Sequence, residues 1–178
     1  MPERRIDSRR AFEGRLLSVR VDEVELDNGR HATREVVEHR GAVGILAWDE
    51  RRLAMVSQWR TAAAAELLEI PAGTMDAGET PSTTAERELA EECGLSASSW
   101  EAGPSFFTAP GFCTERLTIF LATRLHPTQV TPPEDELLES SWLTLPQALA
   151  AIEDGRIVDA KSLVGILWLA RRLEAAKR

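Results

Sequence analysis

Residues 73–95 read GTMDAGETPSTTAERELAEECGL. A glycine loop, Gly73 to Gly78, leads into a segment marked as a short helix. Thr80 suits the cap and Pro81 the first helical position. Gly94 stands where a left-handed residue closes a helix. Within the helix Glu88 and Glu92 are four apart and stack on one face, with Glu91 beside them. Carboxylates this close repel when ionised. Water relieves that repulsion on a solvated face; so does a hard divalent cation, which takes oxygen ligands. Arg87 lies four before Glu91 and suits a helix-surface pair. The spacing of the acids alone leaves both readings open.

Outward from this stretch the pattern alternates between strands and turns. Gly41 to Trp48 is a nearly continuous apolar run, the mark of a strand buried on both faces. Leu53 to Arg60 follows a charged turn as a second strand, and Glu66 to Pro71 is a short third. Ala11 to Leu26 reads as extended, Asp27-Asn28-Gly29-Arg30 as a hairpin turn and Arg34 to His39 as the returning strand. Residues 1–10 are expected to be loosely ordered. After the helix, Phe106-Phe107 and Leu117 to Thr123 are strands flanking the loop Ala109 to Glu115. Pro127 to Glu139 is an acidic, proline-bearing loop, and Ser140 to Leu145 a final strand. Pro146 to Asp154 and Ala160 to Lys177 are helices. Strands, helix, strands and helices in this order imply one α+β domain with a mixed sheet.

Composition narrows the partners. The 178 residues hold 29 acidic and 21 basic side chains, for a net charge of −8. That balance excludes nucleic acid and an anionic membrane as main partners, since both need a basic field. An acidic protein still takes a phosphate ester when cations bridge the two. No apolar run spans a bilayer, and the arginine-rich start has no apolar core for a secretory signal. Cys93 and Cys113 are too few for a disulfide framework and fit a reducing, cytoplasmic setting. His31, His39 and His126 do not cluster.

Gly73, five residues, Glu79, seven residues and then Arg87-Glu88-Leu89-Ala90-Glu91-Glu92-Cys93-Gly94-Leu95 fill every position of the Nudix box. The chain therefore resembles that family. The resemblance implies the Nudix fold, a mixed β-sheet sandwiched between helices, with an N-terminal β-hairpin. It also implies metal-dependent hydrolysis of a nucleoside diphosphate linked to another group, with Mg²⁺ as cofactor and Mn²⁺ or another divalent cation as substitute. By family position Glu88 and Glu92 bind metal, Glu91 binds or orients it, and the Ala72 carbonyl is a further ligand. Glu79 contacts Arg87 and steadies the joint between loop and helix.

A wider resemblance, from about Ala11 to Leu173, is to the ADP-ribose pyrophosphatase branch. It rests on Gln58-Trp59-Arg60, Glu66 to Gly73, Pro110-Gly111 with Glu115, Glu134-Asp135-Glu136 and Ser162 to Gly165. It implies Glu134 as the base, joined by Glu91 and Arg87 in the catalytic set, and Glu136 as another metal ligand. The alternative for that loop is an exposed acidic turn. Arg60 matches a diphosphate contact, against a plain ion pair, and its planar fork suits phosphate oxygens. Glu115 matches a contact to the distal ribose. Trp59 and Phe112 flank the base or sugar in this reading and belong to the core in the other.

Members of the branch are usually homodimers that exchange N-terminal strands. On that basis residues 1–178 form one Nudix domain, with 1–40 as the dimerisation region and 41–178 as the catalytic core. A plain hairpin on the monomer is the alternative for the N-terminal strands. Thr61 with four alanines, and Cys113, depart from the branch near the expected substrate pocket. The implied reaction is hydrolysis of ADP-ribose to AMP and ribose 5-phosphate. The alternatives are another nucleoside diphosphate sugar or dinucleotide, or a non-catalytic sensor of ADP-ribose or NAD.

Overall fold

The computed structural model describes residues 3–130 and 138–176. These fall into two compact units, Met1–Gly41 with Phe107–Arg116 and Ala42–Phe106 with Leu117–Arg178.

In the first unit β1 (Arg4–Glu13), β2 (Leu17–Glu25) and β3 (His31–His39) form an antiparallel meander. The Asn-Gly turn joins β2 to β3. Gly29 takes φ 77° and its N–H donates to the Leu26 carbonyl at 2.9 Å, as the dipeptide requires. The expectation of a loose N-terminus is corrected here, because β1 is a regular strand although all ten of its residues are exposed. What holds it is polar. Ser8 Oγ donates to Asp22 Oδ1 at 2.6 Å and Arg10 Nη1 to Ser18 Oγ at 2.6 Å. Cross-strand pairs of this kind stabilise a sheet without burying it. The 107–116 loop adds to the same unit, with Val37 N–H donating to the Phe112 carbonyl at 2.7 Å.

The second unit carries the remaining elements. They are β4 (Ala42–Ala47), β5 (Arg52–Arg60), β6 (Ala65–Glu69), β7 (Ala72–Thr74) and α1 (Pro81–Cys93). After them come β8 (Leu95–Phe107), β9 (Arg116–Pro127), β10 (Glu139–Thr144), α2 (Leu145–Glu153) and α3 (Ala160–Ala175). Phe107 and Arg116, at the ends of β8 and β9, count with the first unit. One sheet runs β7-β4-β9-β8 and a second β10-β5-β6. β4 pairs parallel with β9 and antiparallel with β7, so the sheet is mixed.

Every residue of β4 is buried, and its alternation sorts the core into two layers. Val43, Ile45 and Ala47 face Ala85 and Leu89 of α1, together with Phe120 and Ala122 of β9. Leu46 turns the other way, toward Ile119 and Leu121 and toward Ile166 and Leu169 of α3. This is the helix–sheet–helix sandwich expected from the sequence.

The caps also match the expectation. Thr80 Oγ1 accepts from Thr83 N–H, and Gly94 ends α1 at φ 62°. Besides β1, two strands lie outside the sequence reading: β7, only three residues long, and most of β8. Ser98, Ser99, Glu101, Gly103 and Pro104 dilute its β pattern, and much of it is half-exposed.

Candidate functional site

α1 decides the question its sequence left open. Glu88 is 7% exposed and Glu92 9%, so this acidic face is not solvated. It turns inward onto the loop that precedes it. Gly73 sits so close to Glu88 that an added Cβ would lie 1.8 Å from Oε1. Any side chain there would occupy the place of the carboxylate. The neighbouring Ala72 N–H donates to Glu92 Oε2 at 2.9 Å. Ala72 is also paired with Gly44 of β4, which ties the loop to the core beneath it.

Arg87 gathers the other carboxylates. Its Nε and Nη2 meet the two oxygens of Glu79 at 2.9 and 3.0 Å. Its Nη1 donates to Glu88 Oε1 at 2.7 Å and to Glu91 Oε2 at 2.8 Å. Asp76 N–H and Thr84 Oγ1 also donate to Glu79. These bonds, that from Arg87 first, lower the Glu79 pKa from an ordinary 4.5 to about 2. The contact between Glu79 and Arg87 read from the sequence is thus present.

Among the described residues, no three His, Cys, Asp or Glu side chains converge on one finished cation site. Glu88 and Glu91 meet at Arg87, while Glu92 is turned to the Ala72 amide. The donors nonetheless suit a hard dication. They are oxygens only, two of the carboxylates are buried, and three carboxylates of the loop and helix share a single guanidinium. Glu134 and Glu136 lie outside the described residues.

A second charged group stands at the end of β5. Arg60 donates through Nε and Nη2 to the two oxygens of Glu69, at 2.9 and 2.6 Å. Glu69, 1% exposed, also accepts from Lys161, whose Nζ reaches Asp159 Oδ1 at 2.8 Å. Burial pushes the Glu69 carboxyl up, but Arg60 and Lys161 outweigh it and hold it below the usual carboxylate range. Arg60 is pushed up chiefly by Glu69, and the charge of Glu92 adds to the effect. No role was read for Glu69, Lys161 or Asp159 from the sequence. The signal was Glu69 itself, a charge inside the short strand before Pro71.

Trp59, beside Arg60, is 62% exposed and not a core aromatic. In the first unit Phe112 is 59% exposed. There Glu115 accepts from Thr108 Oγ1 at 2.6 Å, with His39 Nδ1 3.5 Å from its other oxygen. Burial pushes the Cys93 thiol up to about 12, so it carries no thiolate near neutrality.

Residues 38–163 match the NUDIX domain, and residues 3–37 match the nucleoside diphosphate sugar hydrolase N-terminal domain. The chain belongs to the Nudix hydrolase family. An ADP-ribose pyrophosphatase of Bacillus subtilis is 38% identical over 99% of this chain and 98% of its own length. A methanol dehydrogenase activator of Bacillus methanolicus is 38% identical over 94% and 92%. A crystal structure of an ADP compounds hydrolase superposes with a TM-score of 0.88 at 22% identity, over 99% of this chain and 96% of the other. That likeness establishes the Nudix fold. Nudix hydrolases use divalent cations, and the buried oxygens of Glu88 and Glu92 are of the type they require. Among the described residues no helix is long and apolar enough to cross a membrane.

Proposed function

We propose that this Nudix hydrolase splits ADP-ribose into AMP and ribose 5-phosphate with Mg²⁺. The observation that carries the reading is the buried acidic face of α1, with Glu88 and Glu92 turned onto the Gly73 loop. It is a carboxylate platform suited to a dication, and Arg60 offers a guanidinium fork of the kind that suits a diphosphate. The nucleoside part follows the Bacillus subtilis relative named ADP-ribose pyrophosphatase.

Glu88, Glu92 and Glu91 hold Mg²⁺ in this reading, joined by the Ala72 carbonyl and Glu136. The bound ion supplies Lewis acidity and neutralises charge at the diphosphate. Glu134 takes the proton of the attacking water. The water oxygen bonds to one phosphorus as its bridging P–O bond breaks, and the other phosphate leaves with the bridging oxygen. Arg60 orients the diphosphate, Glu115 the distal ribose, and Trp59 and Phe112 offer faces to base or sugar. Arg87 keeps Glu88 and Glu91 aligned. The protein works in the cytoplasm as a homodimer, its N-terminal strands in residues 1–40 serving the interface. Incubation with ADP-ribose and Mg²⁺ should yield AMP and ribose 5-phosphate in equal amounts on chromatography. Intact ADP-ribose beside turnover of another nucleoside diphosphate sugar would remove this substrate and keep the reaction class. The relative named methanol dehydrogenase activator favours a second reading, in which the same site serves a partner dehydrogenase.

Gly73→Ala tests the platform. The new Cβ must displace Glu88, and a misplacement of about 1 Å costs on the order of a hundredfold in rate. Turnover should fall by about that factor with the chain still folded. Undiminished kcat would remove Glu88 from the chemistry.

A further inference from the structure

Arg60 is held in an unusual way. Its Nε and Nη2 are both spent on Glu69. Its side chain stays partly exposed, and among the described residues no hydrogen bond is made by Nη1. Glu69 is more constrained than its partner. It is almost wholly buried, and it lies in the β5–β6 ladder opposite Val56. The next residue is fixed too, since Ile70 N–H donates to the buried Ser162 Oγ at 2.9 Å. Asp159 caps α3 by accepting from Ser162 N–H at 3.1 Å, and its Oδ1 also meets Lys161. Sheet and helix together therefore fix the carboxylate, and the carboxylate fixes the guanidinium.

The charges matter as much as the geometry. A single Arg–Glu pair would leave Arg60 neutralised and poorly suited to an anion. Here Glu69 faces two cations, Arg60 and Lys161. The attraction of one carboxylate is divided, so the Arg60 fork is oriented while keeping positive charge for a ligand. Preorganised donors of this kind gain affinity because their freedom is already lost before binding.

We infer that Glu69 is a positioning residue, which with Lys161 aims Arg60 at the substrate diphosphate. The assignment rests on the reading of Arg60 as a diphosphate contact. Glu69 touches no substrate and acts through Arg60 alone.

The test is calorimetric binding of ADP without metal, together with steady-state kinetics on ADP-ribose. Glu69→Gln keeps shape and removes charge. It should weaken ADP binding about tenfold and raise KM by a similar factor, with kcat within about threefold. Lys161→Met, a second variant should Glu69→Gln fold poorly, keeps the aim and removes charge; ADP binding should fall about threefold. In an Arg60→Gln background both changes should be silent, because the residue they act through is gone. Unchanged or tighter ADP binding in Glu69→Gln overturns the inference, for Glu69 would then be idle or a competitor of the ligand. A further loss in the Arg60→Gln background overturns it as well, by showing a general structural role. If the unaltered chain binds no ADP and turns over no ADP-ribose, the functional reading falls and this inference with it. ADP binding by the unaltered chain with a silent Glu69→Gln removes the positioning role alone.

Discussion

Glu92→Gln should lower kcat by about a thousandfold, roughly 4 kcal/mol of transition-state stabilisation, with little change in thermal midpoint. The two halves of this expectation come from different atoms. Gln keeps an oxygen that can accept the Ala72 N–H now held at 2.9 Å, so the joint between loop and helix survives. It loses the negative charge that a dication needs at a buried site. Because Glu92 is 9% exposed, water cannot make good that charge at short range. Glu91→Gln should be milder, since Glu91 is tied to Arg87 at 2.8 Å and is less buried. The check is kcat over a titration of Mg²⁺, with circular dichroism to confirm the fold. Full activity in Glu92→Gln would remove α1 as the cation platform.

The same helix shows why part of this protein is legible in its sequence. Thr80, Pro81 and Gly94 act locally, each on backbone within one turn, so their meaning survives in one dimension. The register of Glu88 and Glu92 survives for the same reason. β4 was readable because a run of apolar residues has few other uses. β1 was not. Its residues are exposed, and the strand is held by Ser8 and Arg10 reaching side chains of β2, polar pairs that leave no apolar periodicity to read. Glu69 shows in the sequence only as a charge inside a short strand. Its sense comes from Lys161, 92 residues away, and from a helix whose position the sheet decides. Trp59 in its strand and Phe112 in its loop were ambiguous because an aromatic reads alike whether it faces core or solvent. Only their exposure separates the two.

Arg87→Met should produce the largest loss of stability. Arg87 meets Glu79, Glu88 and Glu91. Removing it leaves three carboxylates to face one another, with Glu88 buried. Breaking a fully buried ion pair costs roughly 3–5 kcal/mol. The Arg87 side chain is 28% exposed, so about 2–3 kcal/mol is expected, or roughly 4–12 °C in thermal midpoint for a chain of this size.

The loss has a pH signature. Glu79 titrates at about 2 in the folded chain against an ordinary 4.5. A depressed carboxyl stabilises the fold above the unfolded value, and that stability is lost as pH falls through the folded one. The midpoints of the two proteins should therefore differ fully at neutral pH. They should converge as pH drops from about 4.5 toward 2. A divalent cation should also restore more of the midpoint in Arg87→Met than in the unaltered chain, because it supplies the charge the guanidinium provided. Scanning calorimetry across pH, with and without Mg²⁺, reads both effects. A gap that stays constant in acid would mean Arg87 stabilises the loop by contact and not by charge.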